Sequence, residues 1–249
     1  MSQLAPAIVL VHGALTDASI WHGVIANLQQ RGHRVLAPAF PLHSLAADAA
    51  LLRSVLATID GPIVVVGHSY GGSIISPADA LTPHVRGLVF VAAFQQDHDE
   101  TAGELNYRFP GSGLTPDTTL VRERPGGSGL YLRPEYFAEV YAADVEPAAA
   151  AVMAAAQHPI DPSALGETFT GPASWTRLPS WTLIATADGS VPTEAQRFMA
   201  QRAGSTVIEI DSSHAVPVAH PAETADLIAA AARAVSAEAG PTMERQPIP

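Results

Sequence analysis

The stretch Ile63–Ile75, "IVVVGHSYGGSII", changes character halfway along. Its first four residues, Ile63 to Val66, are β-branched and read as a buried strand, whereas Ile74 and Ile75 belong to an apolar helical pattern. Between them Ser69 is boxed by Gly67 and Gly71 in the spacing G-x-S-x-G. A serine on so tight a strand-to-helix turn is held in a strained backbone conformation, with its hydroxyl projecting above the sheet. The glycines let neighbouring backbone approach closely, and the helix that follows aims its positive end at any oxyanion forming there. Alone the pentapeptide is a weak pattern. After that strand and before that helix, it makes Ser69 a candidate nucleophile. Pro77 falls two turns into the helix, where it deletes an N–H and crowds the Ser73 carbonyl. A kink or an early end is therefore expected near Ser76.

On both sides of this turn, apolar strand runs alternate with 3.6-period helical patterns. That alternation predicts an α/β chain whose mostly parallel sheet is doubly wound, with helices on both faces. The strand candidates are Ala7–Val11, Arg34–Ala37, Ile63–Val66, Gly87–Ala92, Ser180–Thr186 and Ser205–Ile210. Trp21, Val24, Ile25 and Leu28 form one helical stripe, ended by Gly32. Leu45, Leu52, Leu56 and Ile59 form another, ended by Asp60-Gly61-Pro62. Thr193 and Gln196 have the spacing of a capping box opening the next helix. The last helix follows Pro221 and buries Leu227, Ile228, Ala231 and Val235.

Residues 95–178 break the rhythm. They are rich in Pro and Gly, contain "PGGSG" at Pro125–Gly129, and show no β–α alternation. A structureless loop of that length is implausible in a compact domain. An inserted cap with short helices, Arg133–Ala143 and Pro147–Gln157, is expected instead. The resulting division is a core of residues 1–94 and 179–236, a cap over 95–178 and a disordered tail over 237–249. The cap segment carries eight of the fifteen aromatic residues. Most are expected to form its own small core, with a few facing a shared pocket. Leu15, Tyr107, Tyr131 and Trp175 are the expected substrate contacts.

Composition narrows the chemistry. A chain of 249 residues can bury about 70–75% of its unfolded surface without staples. It contains no cysteine, which excludes disulfides, thiolate metal sites and a cysteine nucleophile. All 13 cationic side chains are arginine, so Schiff-base chemistry on a lysine is excluded too. Net charge is −11, and an acidic chain without a basic cluster is a poor partner for nucleic acid or an anionic membrane. No leader-like or membrane-length apolar run is visible, and a cytoplasmic location is expected. Homo-oligomerisation is left open.

A serine hydroxyl needs a base. Of the ten histidines, His214 in "IEIDSSHAV" lies just beyond the last strand, where a side chain can reach over the carboxyl ends of the sheet. His220, directly before Pro221, fits a helix start or a solvent-facing position better. His12 and His68 flank glycines and read as structural histidines. The base in turn needs a carboxylate to fix its tautomer. Asp188 in "LIATADGSVP" follows a strand and gives the chain order Ser69, Asp188, His214. Asp97 is a rival, and Asp211 is too close in sequence to His214 to turn back onto its ring. Two backbone donors for an oxyanion are expected from Tyr70, after the nucleophile, and from Ala14, after the His12-Gly13 turn.

With these residues in place, the chain resembles the α/β-hydrolase superfamily: "LVHGA", "VGHSYGG", "ADGSVP" and "DSSHAV" occur in that family's order and spacing. It resembles most the compact branch of bacterial esterases, plant methyl-ester esterases and plant hydroxynitrile lyases. The resemblance implies cofactor-free hydrolysis of small-molecule carboxylic esters through an acyl-enzyme, with no metal. The lyases use a cap lysine and commonly carry threonine where Gly13 stands, so this chain departs from them. An amidase, lactonase or C–C hydrolase on the same residues, or a non-catalytic ligand receptor of the same fold, are the alternatives.

Overall fold

The computed structural model describes residues 5–238. The chain opens with β1 (Ala7–Val11), α1 (His22–Gln30), β2 (Val35–Leu36), α2 (Leu45–Leu56), β3 (Ile63–His68) and α3 (Tyr70–Ile75). It continues through β4 (Val85–Val91), α4 (Ala102–Tyr107), β5 (Thr119–Arg124), β6 (Gly127–Leu132), α5 (Pro134–Tyr141) and α6 (Pro147–Ala155). It closes with β7 (Ser180–Ala185), α7 (Thr193–Arg202), β8 (Thr206–Ile210), α8 (Val216–Ala219) and α9 (Pro221–Glu238).

Six strands form one parallel sheet in the order β2-β1-β3-β4-β7-β8. Because side chains alternate along a strand, β1, β3 and β4 each serve two cores. Ile8, Leu10, Val64, Val66, Val89 and Val91 pack on one face against Trp21, Leu28, Ile228 and Ala231 from the α1 and α9 side. Val9, Val11, Val65, Leu88 and Phe90 pack on the other against Leu45, Leu52, Leu56 and Ile74 of α2 and α3. The expected doubly wound sheet is therefore present. Being parallel, it gathers the loops after β1, β3, β7 and β8 at one edge.

Pro77 acts as expected. Helix α3 stops at Ile75, and Pro77 leaves at ψ 129° to form an isolated antiparallel bridge with Ala173. Three expectations need correction. Residues 95–178 hold more than helices: β5 and β6 pair as an antiparallel hairpin, with the "PGGSG" stretch at its turn. Gly126, at φ 83°, supplies the left-handed backbone that the turn requires. The capping box at α7 is also absent. Its N-cap is Pro192, the Thr193 hydroxyl donates to the Ala185 and Thr186 carbonyls at 3.2 Å, and Gln196 turns inward. Finally, α9 continues to Glu238, past the expected start of the tail at 237; the rest of that tail lies outside the described residues.

Candidate active site

Ser69 occupies the turn between β3 and α3 at φ 55° and ψ −125°, a conformation that ordinarily favours glycine. Three backbone bonds hold it there. Its N–H donates to the Val91 carbonyl at 3.3 Å, and its carbonyl accepts from Gly72 at 3.0 Å and Phe94 at 3.2 Å. Gly67 allows the turn to close, since a Cβ there would lie 2.6 Å from the Gly71 carbonyl carbon.

Asp188 and His214 meet from the loops after β7 and β8. The Nδ1–H of His214 donates to Asp188 Oδ2 at 2.7 Å, with both side chains almost wholly buried. The carboxylate is fully engaged. Its Oδ1 accepts from the Ser190 and Val191 amides at 2.7 and 2.9 Å, and Oδ2 also accepts from Gln196 Nε2 at 2.8 Å. Gln196 in turn accepts from the Ala185 amide at 3.1 Å and donates to the Val191 carbonyl at 2.9 Å. One glutamine thereby fixes the carboxylate to the end of β7.

The histidine is held from behind by two aromatic neighbours. His68 donates from Nε2 to the His214 carbonyl at 2.9 Å, and its ring lies 4.7 Å from the His214 ring. Burial, reinforced by His214, drives the His68 imidazole well below its usual range, so it stays neutral. Tyr141 stands edge-on to His214 at 4.7 Å and is wholly buried. Burial, aided by the Asp188 charge, keeps its phenol protonated well above the ordinary range. Its carbonyl accepts from the Ala215 amide at 2.9 Å, and its hydroxyl donates to the Ala14 carbonyl at 3.2 Å.

That second bond braces the loop after β1. The Leu15 amide donates to the His158 carbonyl at 2.9 Å, and Leu15 itself has φ 64°. His12 is a structural histidine, as read from the sequence. Its Nδ1–H donates to the Gly13 carbonyl at 2.9 Å, and Nε2 accepts from the Phe40 amide at 3.0 Å. Burial lowers its basicity as well. The amides of Ala14 and Tyr70 have no acceptor among the described residues, in a fold where nearly every buried amide is paired.

Ser69, His214, Ala14 and Tyr70 all line one cavity of about 590 Å³. Among the described residues the Ser69 hydroxyl makes no hydrogen bond, to His214 or elsewhere; catalytic hydrogen bonds of this kind often tighten only in the substrate complex. Leu15 lines the cavity, and Tyr107, 70% exposed, stands at its rim. Tyr131 and Trp175 do not line it, contrary to expectation. Leu130 faces the cavity, so strand alternation turns Tyr131 away, beneath the Arg122 guanidinium. Trp175 is bound elsewhere, donating to the Gln96 carbonyl at 2.8 Å with Arg202 over its ring.

The rival residues lie apart. Asp97 Oδ1 accepts from the His98 amide within its own turn, Asp211 is exposed, and His220 is half-exposed near Asp144 and Glu223. Sequence reasoning missed Gln196, assigned to a cap, and Tyr141, counted only among the aromatics. No local pattern marks either, because both act through contacts distant in sequence. Among the described residues, no group of three or more His, Asp or Glu side chains could hold a metal ion. No helix there is long and apolar enough to cross a membrane.

A family model described as alpha/beta hydrolase family matches residues 8–227. The chain belongs to the alpha/beta hydrolase family. This alpha/beta hydrolase is 29% identical to Esterase PIR7B of Oryza sativa subsp. japonica over 249 residues, covering 88% of this chain and 93% of that protein. It is 35% identical over 106 residues to the carbendazim hydrolyzing esterase of Nocardioides sp. (strain SG-4G). That match spans 37% of this chain and 44% of the relative, less than half of its length. Among solved structures, a pyrethroid hydrolase from Sphingobium faniae JZ-2 superposes with a TM-score of 0.74 at 24% identity, covering 93% of this chain and 99% of that one. Polyneuridine aldehyde esterase gives 0.76 at 21% identity, covering 91% and 99%. These likenesses show the alpha/beta hydrolase fold.

Proposed function

We propose that the chain hydrolyses carboxylic esters through an acyl-enzyme formed on Ser69. The observation that carries this reading is the buried 2.7 Å bond between Asp188 and His214, made beside the cavity that Ser69 also lines. In the first half-reaction His214 Nε2 takes the Ser69 proton as Oγ attacks the ester carbonyl. The Ala14 and Tyr70 amides then receive the oxyanion, each such donor being worth about 3–4 kcal/mol in the transition state. His214 returns the proton to the departing alkoxide. In the second half-reaction it activates water, which releases the acid and restores Ser69. Asp188 remains ionised and holds the imidazole in the tautomer that leaves Nε2 free to act as base.

The names of the esterase relatives support ester cleavage, and the size of the cavity supports small to medium substrates with apolar groups. The test is hydrolysis of a p-nitrophenyl ester series by the wild-type and Ser69→Ala proteins, paired with labelling by a fluorophosphonate probe. Ser69→Ala should lower turnover on the order of 10⁶-fold, nearly as much as removing all three residues. One equivalent of probe should attach to Ser69. Equal turnover by the alanine variant, or a folded wild-type protein that resists the probe, would overturn the proposal.

A further inference from the structure

One cationic residue that ester hydrolysis does not need borders the cavity. Arg133 lines it together with aliphatic walls such as Leu114, Leu120 and Leu130, and among the described residues no carboxylate lines it. Of the described arginines, Arg124, Arg133 and Arg202 are half-buried and the others exposed. Arg124 lies 3.6 Å from Asp161 and Arg202 2.8 Å from Glu100. The Arg133 guanidinium has neither an ion pair nor a hydrogen bond to any described residue. Only its backbone is engaged, the N–H donating to the Thr118 carbonyl at 2.8 Å.

In a chain with 24 acidic residues against 13 arginines, Arg133 is the one half-buried arginine among the described residues without an ion pair. A guanidinium that a ligand encloses in such a cavity loses water, a solvation cost that a charged group on the ligand would offset. The planar fork of N–H donors matches the two oxygens of a carboxylate. A single cation among apolar walls also suits a monoanion better than a doubly charged phosphomonoester.

Resting on the ester-hydrolase reading above, we infer that the cavity accepts esters carrying a free carboxylate remote from the scissile bond, and that Arg133 pairs with that carboxylate. Ser69 and His214 act on one end of such a molecule. The aliphatic walls cover its methylene chain, and Arg133 holds the other end.

Matched substrates test this. The mono-4-nitrophenyl esters of glutaric, adipic and suberic acids would be compared with the same compounds methylated on the free carboxyl. For at least one chain length the wild-type kcat/KM should favour the free acid. The free-acid to methyl-ester ratio should fall about tenfold or more in Arg133→Gln and be partly kept in Arg133→Lys. Reading the ratio cancels any general loss of activity. High salt should narrow it. An unchanged ratio in Arg133→Gln, or a wild-type preference for the methyl esters at every length, would overturn the inference.

A binding measurement separates this from the catalytic reading. In the Ser69→Ala background, calorimetry should find monomethyl adipate bound more tightly than dimethyl adipate, with the difference abolished by adding Arg133→Gln. Equal binding of the two would overturn the inference even if esters are hydrolysed. Preferential binding without any wild-type turnover would uphold it while the hydrolase reading fails.

Discussion

Tyr141 holds Ala14: its buried hydroxyl donates to the Ala14 carbonyl at 3.2 Å, although the two residues are 127 positions apart. The same residue accepts the Ala215 amide through its carbonyl and presses its ring edge-on to His214. It therefore joins the loop of Ala14, the proposed oxyanion donor, to the loop of His214, the proposed base. Tyr141→Phe keeps the ring and deletes the bond. It should lower stability by about 1 kcal/mol and kcat roughly tenfold with little change in KM, since the proposed oxyanion donor it steadies would act only in the transition state. A change in KM alone would assign Tyr141 to substrate contact instead.

Gln196 ties Asp188 to the end of β7. Gln196→Leu preserves bulk but strands the Ala185 amide and removes a donor from Asp188. An unpaired buried group costs about 1–3 kcal/mol, which denaturant unfolding would register. Turnover should fall as the acid loses its fixed position. Full activity in a destabilised variant would confine Gln196 to a structural role.

Ser69 at φ 55° stores strain that glycine would relieve. Both Ser69→Ala and Ser69→Gly should be inactive on esters. Ser69→Gly should nevertheless be the more stable of the two, by about 1 kcal/mol. Thermal melts of the pair measure this directly, and the reverse order would show that the turn is relaxed.

Asp48 is wholly buried beneath α3, its Oδ1 accepting from the Leu42 amide at 3.2 Å. Oδ2 and the neighbouring Tyr70 hydroxyl have no partner among the described residues. Burial, reinforced by Glu167, pushes the Asp48 carboxyl up to about 7. In the unfolded chain it titrates near about 4. Below that pH both states are protonated and the site costs nothing. As pH rises from about 4 to about 7 the unfolded state loses its proton first, so stability falls, and above about 7 the loss is complete. Asp48→Asn should flatten this slope and raise stability at pH about 8.5 by up to about 4 kcal/mol. Urea unfolding of both proteins at pH about 4 and about 8.5 is the measurement. Parallel pH profiles would count against a buried, titrating Asp48.

The sheet was legible because its strands are buried on both faces and read as continuous apolar runs, "AIVLV" and "IVVVGH" being the clearest. The serine turn and the break at Pro77 were legible because each obeys a local steric rule. The β5–β6 hairpin was not. Its strands are largely exposed or half-buried and carry Arg122, Glu123 and Arg124, so no apolar run marks them. Gln196 was misread because Thr193-x-x-Gln196 satisfies a local rule that the long-range bond to Asp188 overrides. Tyr131 and Trp175 were misplaced because aromatic content says how much can be buried, not against what.

Tyr141 closes helix α5, whose preceding residue, Arg133, lines the cavity. A bulky guest that pushed α5 outward would have to break or drag both of the tyrosine's anchoring bonds. Widening the chamber and displacing the proposed base and oxyanion donor are therefore one movement. Poorly fitting molecules would be refused by lost reactivity as much as by lack of room.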